Sequence, residues 1–302
     1  MTIIEGDSVA KEVILKVSRL KKSFYSDFWK PKVSVLKGVS FEVHAGEAIG
    51  FLGANGAGKT TTLKIILGLI SQDEGDIYFS EALGQSREEI ISNIGYLPER
   101  PYFYPHLSGR QYCHFISKLG NQNYNEFKKS LDQLSQEFSI AHSLDKKLAS
   151  YSKGMLQRVG LVAALLQRPK LVFLDEPMSG LDPLGRREIK EAILRLKKQN
   201  VTVFFSTHIV ADVEEVCESV VVLKEGQCLF NGSIENMLDS SPTSPVVINY
   251  TLKGSVSRAE VSQRQVNAQL EDLLSQGAQI KSVVSDHPKL EEVIYQIQDK
   301  SR

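Results

Sequence analysis

Apolar residues alternate with polar ones at Val13, Leu15 and Val17, at Val33 and Val35, and again at Val39, Phe41 and Val43. A period of two predicts half-buried strands at the front of the chain. Tyr25 to Lys32, which holds Phe28, Trp29 and Pro31, reads as a loop between them. The unbroken apolar run Ala48 to Leu52 predicts a fully buried strand, and it enters a glycine-rich turn, Gly53 to Gly58. Leu63, Ile66, Leu67 and Ile70 then fall on one face of a helix.

From about Ser86 to Gln167 the pattern is mostly helical, carried by Ile90, Ile91 and Ile94 and then by Leu131, Leu134 and Phe138, with a polar break at Asn121 to Asn125. Lys170 to Leu174 is a second buried strand, ending in Asp175-Glu176. A helix follows from about Pro183 to Gln199, with proline suited to its first turn. Val201 to Ser206 reads as a strand and Ala211 to Cys217 as a short helix. Val220 to Leu223 and Cys228 to Phe230 flank a Glu225-Gly226 turn, the signature of a hairpin. Strands alternating with helices predict an α/β domain with a largely parallel central sheet. The antiparallel front strands and the helical stretch at about 86–167 are additions to it. Ser240-Ser241-Pro242-Thr243-Ser244-Pro245 has linker composition. The expected division is a main domain at 12–238, a linker at 239–245 and a small accessory domain at 246–302. In that tail, Val246 to Leu252, Arg264 to Gln276, Ile280 to Val284 and Lys289 to Ile297 read as βαβα.

Bulk properties narrow the function by exclusion. Lys plus Arg and Asp plus Glu both total 36 in 302 residues, so no basic footprint argues for nucleic acid. Cys113, Cys217 and Cys228 lack metal-ligand spacing and fit buried thiols in a reducing compartment. Met1 to Ala10 lacks the basic-then-apolar order of a signal peptide. The most apolar stretch, Val159 to Leu174, is broken by Gln167, Arg168, Pro169 and Lys170, so no span of about 20 apolar residues is expected.

Gly53-Ala54-Asn55-Gly56-Ala57-Gly58-Lys59-Thr60, followed by Thr61, fits G-x-x-x-x-G-K-[ST] between a buried strand and a helix. Glycines permit positive φ and close approach of backbone to ligand. Successive amides and the following helix N-terminus cradle an anion. Lys59 would neutralise β- and γ-phosphate charge, and the Thr60 hydroxyl would ligate Mg²⁺. This loop alone says phosphate binding, a property shared by many classes of NTPase.

Leu171 to Glu176 delivers two acids at the carboxyl end of a buried strand, the edge where doubly wound sheets bind ligands. Asp175 is placed to hold the Mg²⁺ shell beside Thr60. Adjacent strand residues point opposite ways, but the chain bends into Pro177, so Glu176 can face the γ-phosphate and orient or deprotonate water.

With Tyr151-Ser152-Lys153-Gly154-Met155-Leu156-Gln157-Arg158 ahead of the acid strand, the chain resembles an ATP-binding-cassette ATPase, a P-loop NTPase. The family signature Leu-Ser-Gly-Gly-Gln stands here as Tyr-Ser-Lys-Gly-Met, keeping Ser152 and Gly154. The resemblance implies that Ser152 and Gly154 approach the nucleotide held by a second subunit. Ser179-Gly180-Leu181-Asp182 resembles the loop that meets that subunit, His208 the switch histidine on the γ-phosphate, and Phe24, with Tyr25 as rival, the aromatic stacked on adenine. In Gly95-Tyr96-Leu97-Pro98-Glu99, Glu99 takes the place of the family's glutamine beside Mg²⁺. Glu99, Lys153, the segment Pro101-Tyr102-Phe103-Tyr104-Pro105 and the tail resemble the exporter branch that works with ABC-2-type permeases.

The resemblance covers about residues 12 to 238. It implies an ATP- and Mg²⁺-dependent ATPase subunit, with catalytic Glu176 and His208, paired with a second cassette. Partner permeases on a separate chain would place it peripherally on the cytoplasmic face of the cell membrane. Two other readings are a soluble cassette in translation or DNA maintenance and a low-turnover ATP-sensing subunit. One P-loop and no sustained heptads weigh against the first; the altered signature and Glu99 keep the second open.

Overall fold

A computed structural model describes residues 12–25, 32–120, 122–239, 245–252, 254–262, 265–285 and 290–299. The loop aromatics Phe28 and Trp29, most of the expected linker, and the expected helix starts Arg264 and Lys289 lie outside the described residues. The chain divides into two compact units, Met1–Asn231 and Gly232–Arg302.

The first unit opens with β1 (Val13–Tyr25) and β2 (Lys32–His44), then β3 (Ala48–Leu52), α1 (Lys59–Ile66) and β4 (Glu74–Phe79). Next come α2 (Arg87–Ser92), β5 (Ile94–Leu97), α3 (Gly109–Leu119), α4 (Tyr124–Glu137), α5 (Lys153–Leu165) and β6 (Leu171–Asp175). Then follow α6 (Pro183–Lys198), β7 (Thr202–Thr207), α7 (Val210–Val216), β8 (Ser219–Lys224) and β9 (Gln227–Ser233).

The central sheet has the order β5-β6-β7-β3-β8-β9. Its pairs β5–β6, β6–β7, β7–β3 and β3–β8 are parallel, as the alternation of elements predicts. β3, β6 and β7 are buried along their whole length, which explains the apolar runs of β3 and β6 and the Val203-Phe204-Phe205 centre of β7. A second sheet, β2-β1-β4, is antiparallel. Phe41 of β2 packs against Phe51 and Phe204 with ring centroids 5.6 Å apart in each case, and Phe173 meets Phe204 at the same separation. That aromatic cluster joins the two sheets, with Leu63, Ile65 and Ile66 of α1 in the same core.

Three details correct the sequence reading. The stretch at 86–167 is not wholly helical: Ile94 begins β5, which belongs to the parallel sheet. Four residues are too few for periodicity to distinguish strand from helix, and pairing with β6 decides the matter. β4 was hidden because its burial alternates only between exposed and half-buried. α1 stops at Ile66, short of Ile70, where Gly68 turns the chain at φ +70°. Among the described residues, no helix is long and apolar enough to cross a membrane.

The second unit contains α8 (Ile234–Asp239), β10 (Pro245–Leu252), β11 (Ser255–Ser262), α9 (Val266–Ser275), β12 (Gln279–Ser285) and α10 (Leu290–Asp299). Its sheet, β11-β10-β12, is antiparallel throughout. β11 extends the expected βαβα order to ββαβα; its sequence, SVSRAEVS, carries too little apolar signal, and Val256 is 79% exposed. Ile248, Leu273 and Ala278 centre one small core. Met237 of α8 and Leu290, Val293 and Ile294 of α10 are also buried, and these two helices touch.

Candidate functional site

The turn after β3 has the shape that its glycines permit. Gly58 sits at φ +107° and Gly56 at φ +82°, the left-handed side that side chains resist. A Cβ on Gly53 would lie 2.5 Å from the carbonyl oxygen of Leu223, and one on Gly58 would lie 2.6 Å from Leu36 Cδ2. The loop is propped from behind by the β8–β9 turn: the Gly226 amide donates to the Ala57 carbonyl at 3.0 Å. On the other side, the Gly53 amide donates to the Thr207 carbonyl at 3.2 Å. Helix α1 starts at Lys59 with no side-chain cap, so its first amides remain available to an anion.

Lys59 is buried and its Nζ donates to the Gly53 carbonyl at 2.6 Å. It also lies 3.2 Å from Glu176 Oε1. The cation is thus held at the loop, paired with the carboxylate that directly follows β6.

Asp175 ends β6 fully buried. Its Oδ1 accepts from the Ser206 hydroxyl at 2.6 Å, and the same hydroxyl accepts the Glu176 amide at 2.9 Å. Asp175 Oδ2 is buried without a hydrogen-bond partner, which is costly for an isolated carboxylate oxygen. Nearby, burial and then the Asp175 charge push the Tyr96 hydroxyl up to about 12. Glu176 takes φ +47°, a left-handed backbone uncommon for a side-chain-bearing residue. That inversion turns Glu176 into the cleft directly after a buried Asp175, which strand alternation alone would not do. His208, just past β7, places Nδ1 3.0 Å from Glu176 Oε2.

Lys59, Glu176 and His208 line one cleft of about 460 Å³, together with Val35, Ala54, Asn55, Gly56, Gly58, Thr60, Thr61, Ser179 and Glu99, while Asp175 and Ser206 lie buried beneath it, outside the lining. Glu99 is half-exposed, with Arg100 Nε 3.7 Å away. Gly53 and Ala57 support the loop without lining the cleft. Ser206 and Val35 were missed in the sequence; a polar serine inside a fully buried strand is the signal that could have found the first.

Other candidates stand apart from this lining. Ser152 caps α5, its Oγ accepting the Met155 amide at 3.3 Å. Gly154 lies on the first turn of α5, 4.0 Å by its ideal Cβ from Leu181. Lys153 crosses Gly180, which holds φ +65°. Asp182 caps α6, accepting the Gly185 amide at 2.9 Å. Phe24 is the penultimate residue of β1 and partly exposed, with Lys22 Nζ 5.3 Å above its ring.

A family profile described as "ABC transporter" matches residues 36–179. An uncharacterized ABC transporter ATP-binding protein of Synechocystis sp. is 37% identical over 295 residues, covering 92% of this chain and 83% of its own length. Another, of Nostoc sp., is 41% identical over 234 residues, 76% of this chain and 69% of the relative. Among solved structures, the ATP binding subunit of an ABC transporter superposes with a TM-score of 0.65 at 32% identity, covering 74% of this chain and 91% of that one.

Proposed function

The chain belongs to the ABC transporter family of ATP-binding proteins, and on that premise we propose that it is the ATP-hydrolysing subunit of an exporter whose ABC-2-type permease is a separate chain. The observation that carries the reading is the convergence of Lys59, Glu176 and His208 in one cleft, behind the loop amides.

Triphosphate enters the cradle of loop amides and the α1 N-terminus. Lys59 exchanges the Gly53 carbonyl and Glu176 for phosphate oxygens. Glu176, released from that ion pair, orients and deprotonates the attacking water, and His208 contacts the γ-phosphate. The orphaned buried Oδ2 of Asp175 and the hydroxyl of Thr60 are hard oxygen donors that suit a magnesium ion, with Glu99 as a further donor across the cleft. When bound, that ion neutralises charge on the β- and γ-phosphates. Phe24 serves the adenine ring.

Ser152, Gly154 and Asp182 fall outside the cleft lining, which supports their serving the nucleotide of a second, head-to-tail copy. ATP then holds the two copies together, and hydrolysis releases them. A separate groove of about 670 Å³ between β5, α3 and α5 bears exposed Tyr102 and Leu119. It supports permease docking at the cytoplasmic face of the membrane.

The test is phosphate release by the purified chain with Mg²⁺ and ATP, alone and with the membrane protein that co-purifies with it. Lys59→Ala should abolish nucleotide binding. ATP affinity unchanged in that variant would refute the cradle, and a parent protein inert in every membrane preparation would favour the sensing role.

A further inference from the structure

Helix α7 follows His208 by one residue, yet it has little means of fixing itself. It spans seven residues, and Ile209 at its N-cap provides no side-chain hydrogen bond. A helix this short is marginal alone, so tertiary contacts set its position. Two adjacent residues supply them against different elements. Val213 presses on β3 at Gly50, where a Cβ would come within 2.7 Å of its methyl groups. Asp212, 1% exposed, faces α6: Arg186 Nη2 reaches both its oxygens at 2.9 and 2.8 Å, and Lys190 Nζ lies 3.1 Å from Oδ1. Lys190 is also 2.7 Å from Glu215 on α7.

Arg186 stands one turn into α6, just past Asp182 and the 179–182 loop. Its amide donates to the Asp182 carbonyl at 3.0 Å. A buried carboxylate held by two cations has one favourable place, since moving away leaves charge unpaired in a dry site. The loop that opens α6 and the histidine that precedes α7 are therefore tied through one side chain.

We infer that Asp212 is a positioning residue for His208: clamped by Arg186 and Lys190, it fixes α7 so that the imidazole stays on Glu176 and the reacting phosphate. The inference rests on the ATPase reading above. It predicts that a shift of the 179–182 loop is felt at His208 through α6, in addition to the shorter link through Glu176, whose carbonyl accepts the Ser179 amide at 3.0 Å.

The experiment compares Asp212→Asn and Asp212→Glu in the full chain, each with His208 intact and as His208→Ala. Asp212→Asn should lower kcat about 10- to 100-fold, the range that a small misplacement of a reacting group produces, with the KM for ATP within about twofold of the parent. In the His208→Ala background the same change should add less than about twofold, because the group it positions is gone. Asp212→Glu should recover part of the loss. The NMR signals of the His208 ring should move in Asp212→Asn without nucleotide. Should Asp212→Asn not fold, Arg186→Lys keeps the charge, loses the fork and carries the same comparisons. An equal penalty in both backgrounds, or unmoved His208 ring signals, overturns the inference. A parent protein without ATPase activity overturns the catalytic reading instead, and the ring signals still decide the positioning.

Discussion

Lys59 Nζ lies 3.2 Å from Glu176 Oε1, so the cation that grips phosphate and the carboxylate that prepares water begin as one buried ion pair. Glu176→Gln removes the charge and keeps the shape. Turnover should fall about 100- to 10,000-fold, the span of general-base contributions, as measured by steady-state phosphate release. ATP affinity, measured by equilibrium titration, should hold or rise, because Lys59 no longer has a competing anion. A variant turning over at the parent rate would remove Glu176 from the mechanism.

Ser206 joins Asp175 and Glu176 through one hydroxyl. Ser206→Ala leaves a buried carboxylate oxygen and an amide without that partner, a loss of about 1–3 kcal/mol. Chemical denaturation should show the lost stability. Turnover should drop as well, because Glu176 loses what holds its left-handed backbone. Wild-type kcat in a destabilised variant would separate folding from positioning and reject the second role.

Gly53→Ala places a methyl 2.5 Å from the Leu223 carbonyl oxygen, a backbone atom that cannot rotate away. Overpacking of this kind costs about 1–3 kcal/mol, and here the strain falls on the phosphate loop itself. The denaturation midpoint should fall and ATP affinity with it. Gly56→Ala is the contrast: its surroundings are open and only φ +82° resists, so its defect should lie in the loop's backbone shape.

Alkaline pH should weaken the fold through groups whose protons burial retains. Burial pushes the Cys113 thiol from 9.0 up to about 12, and burial likewise pushes the Tyr112 hydroxyl from 10.0 up to about 12. The folded chain holds these protons more tightly than the unfolded one. Their stabilisation is complete below the unfolded values and is lost as pH rises through about 9 to 12. Urea midpoints should decline across that window, and Cys113 should resist maleimide at neutral pH until the chain unfolds.

Much of this was legible because its signals are local. The phosphate loop needs a fixed spacing within eight residues, and β3 and β6 announce burial by unbroken apolar runs. Asp175-Glu176 is legible by position, since a sheet's carboxyl edge is where ligands bind. The rest depends on partners far along the chain. β5 is a strand because β6 pairs with it, and β11 shows mostly polar residues to solvent. The backbone inversion at Glu176 and the bridge through Ser206, 30 residues away, leave no periodic trace. Nor does the Asp212 clamp, whose cations sit on another helix.

The prop behind the phosphate loop bears on how the protein is made. Gly226 and Thr207 hold a turn whose own residues end at Gly58. A nascent chain emerging from the ribosome therefore carries the motif's letters long before it carries the motif's shape. Growing polypeptides halted before β8 should fail to retain triphosphate, and those released beyond Gly226 should succeed.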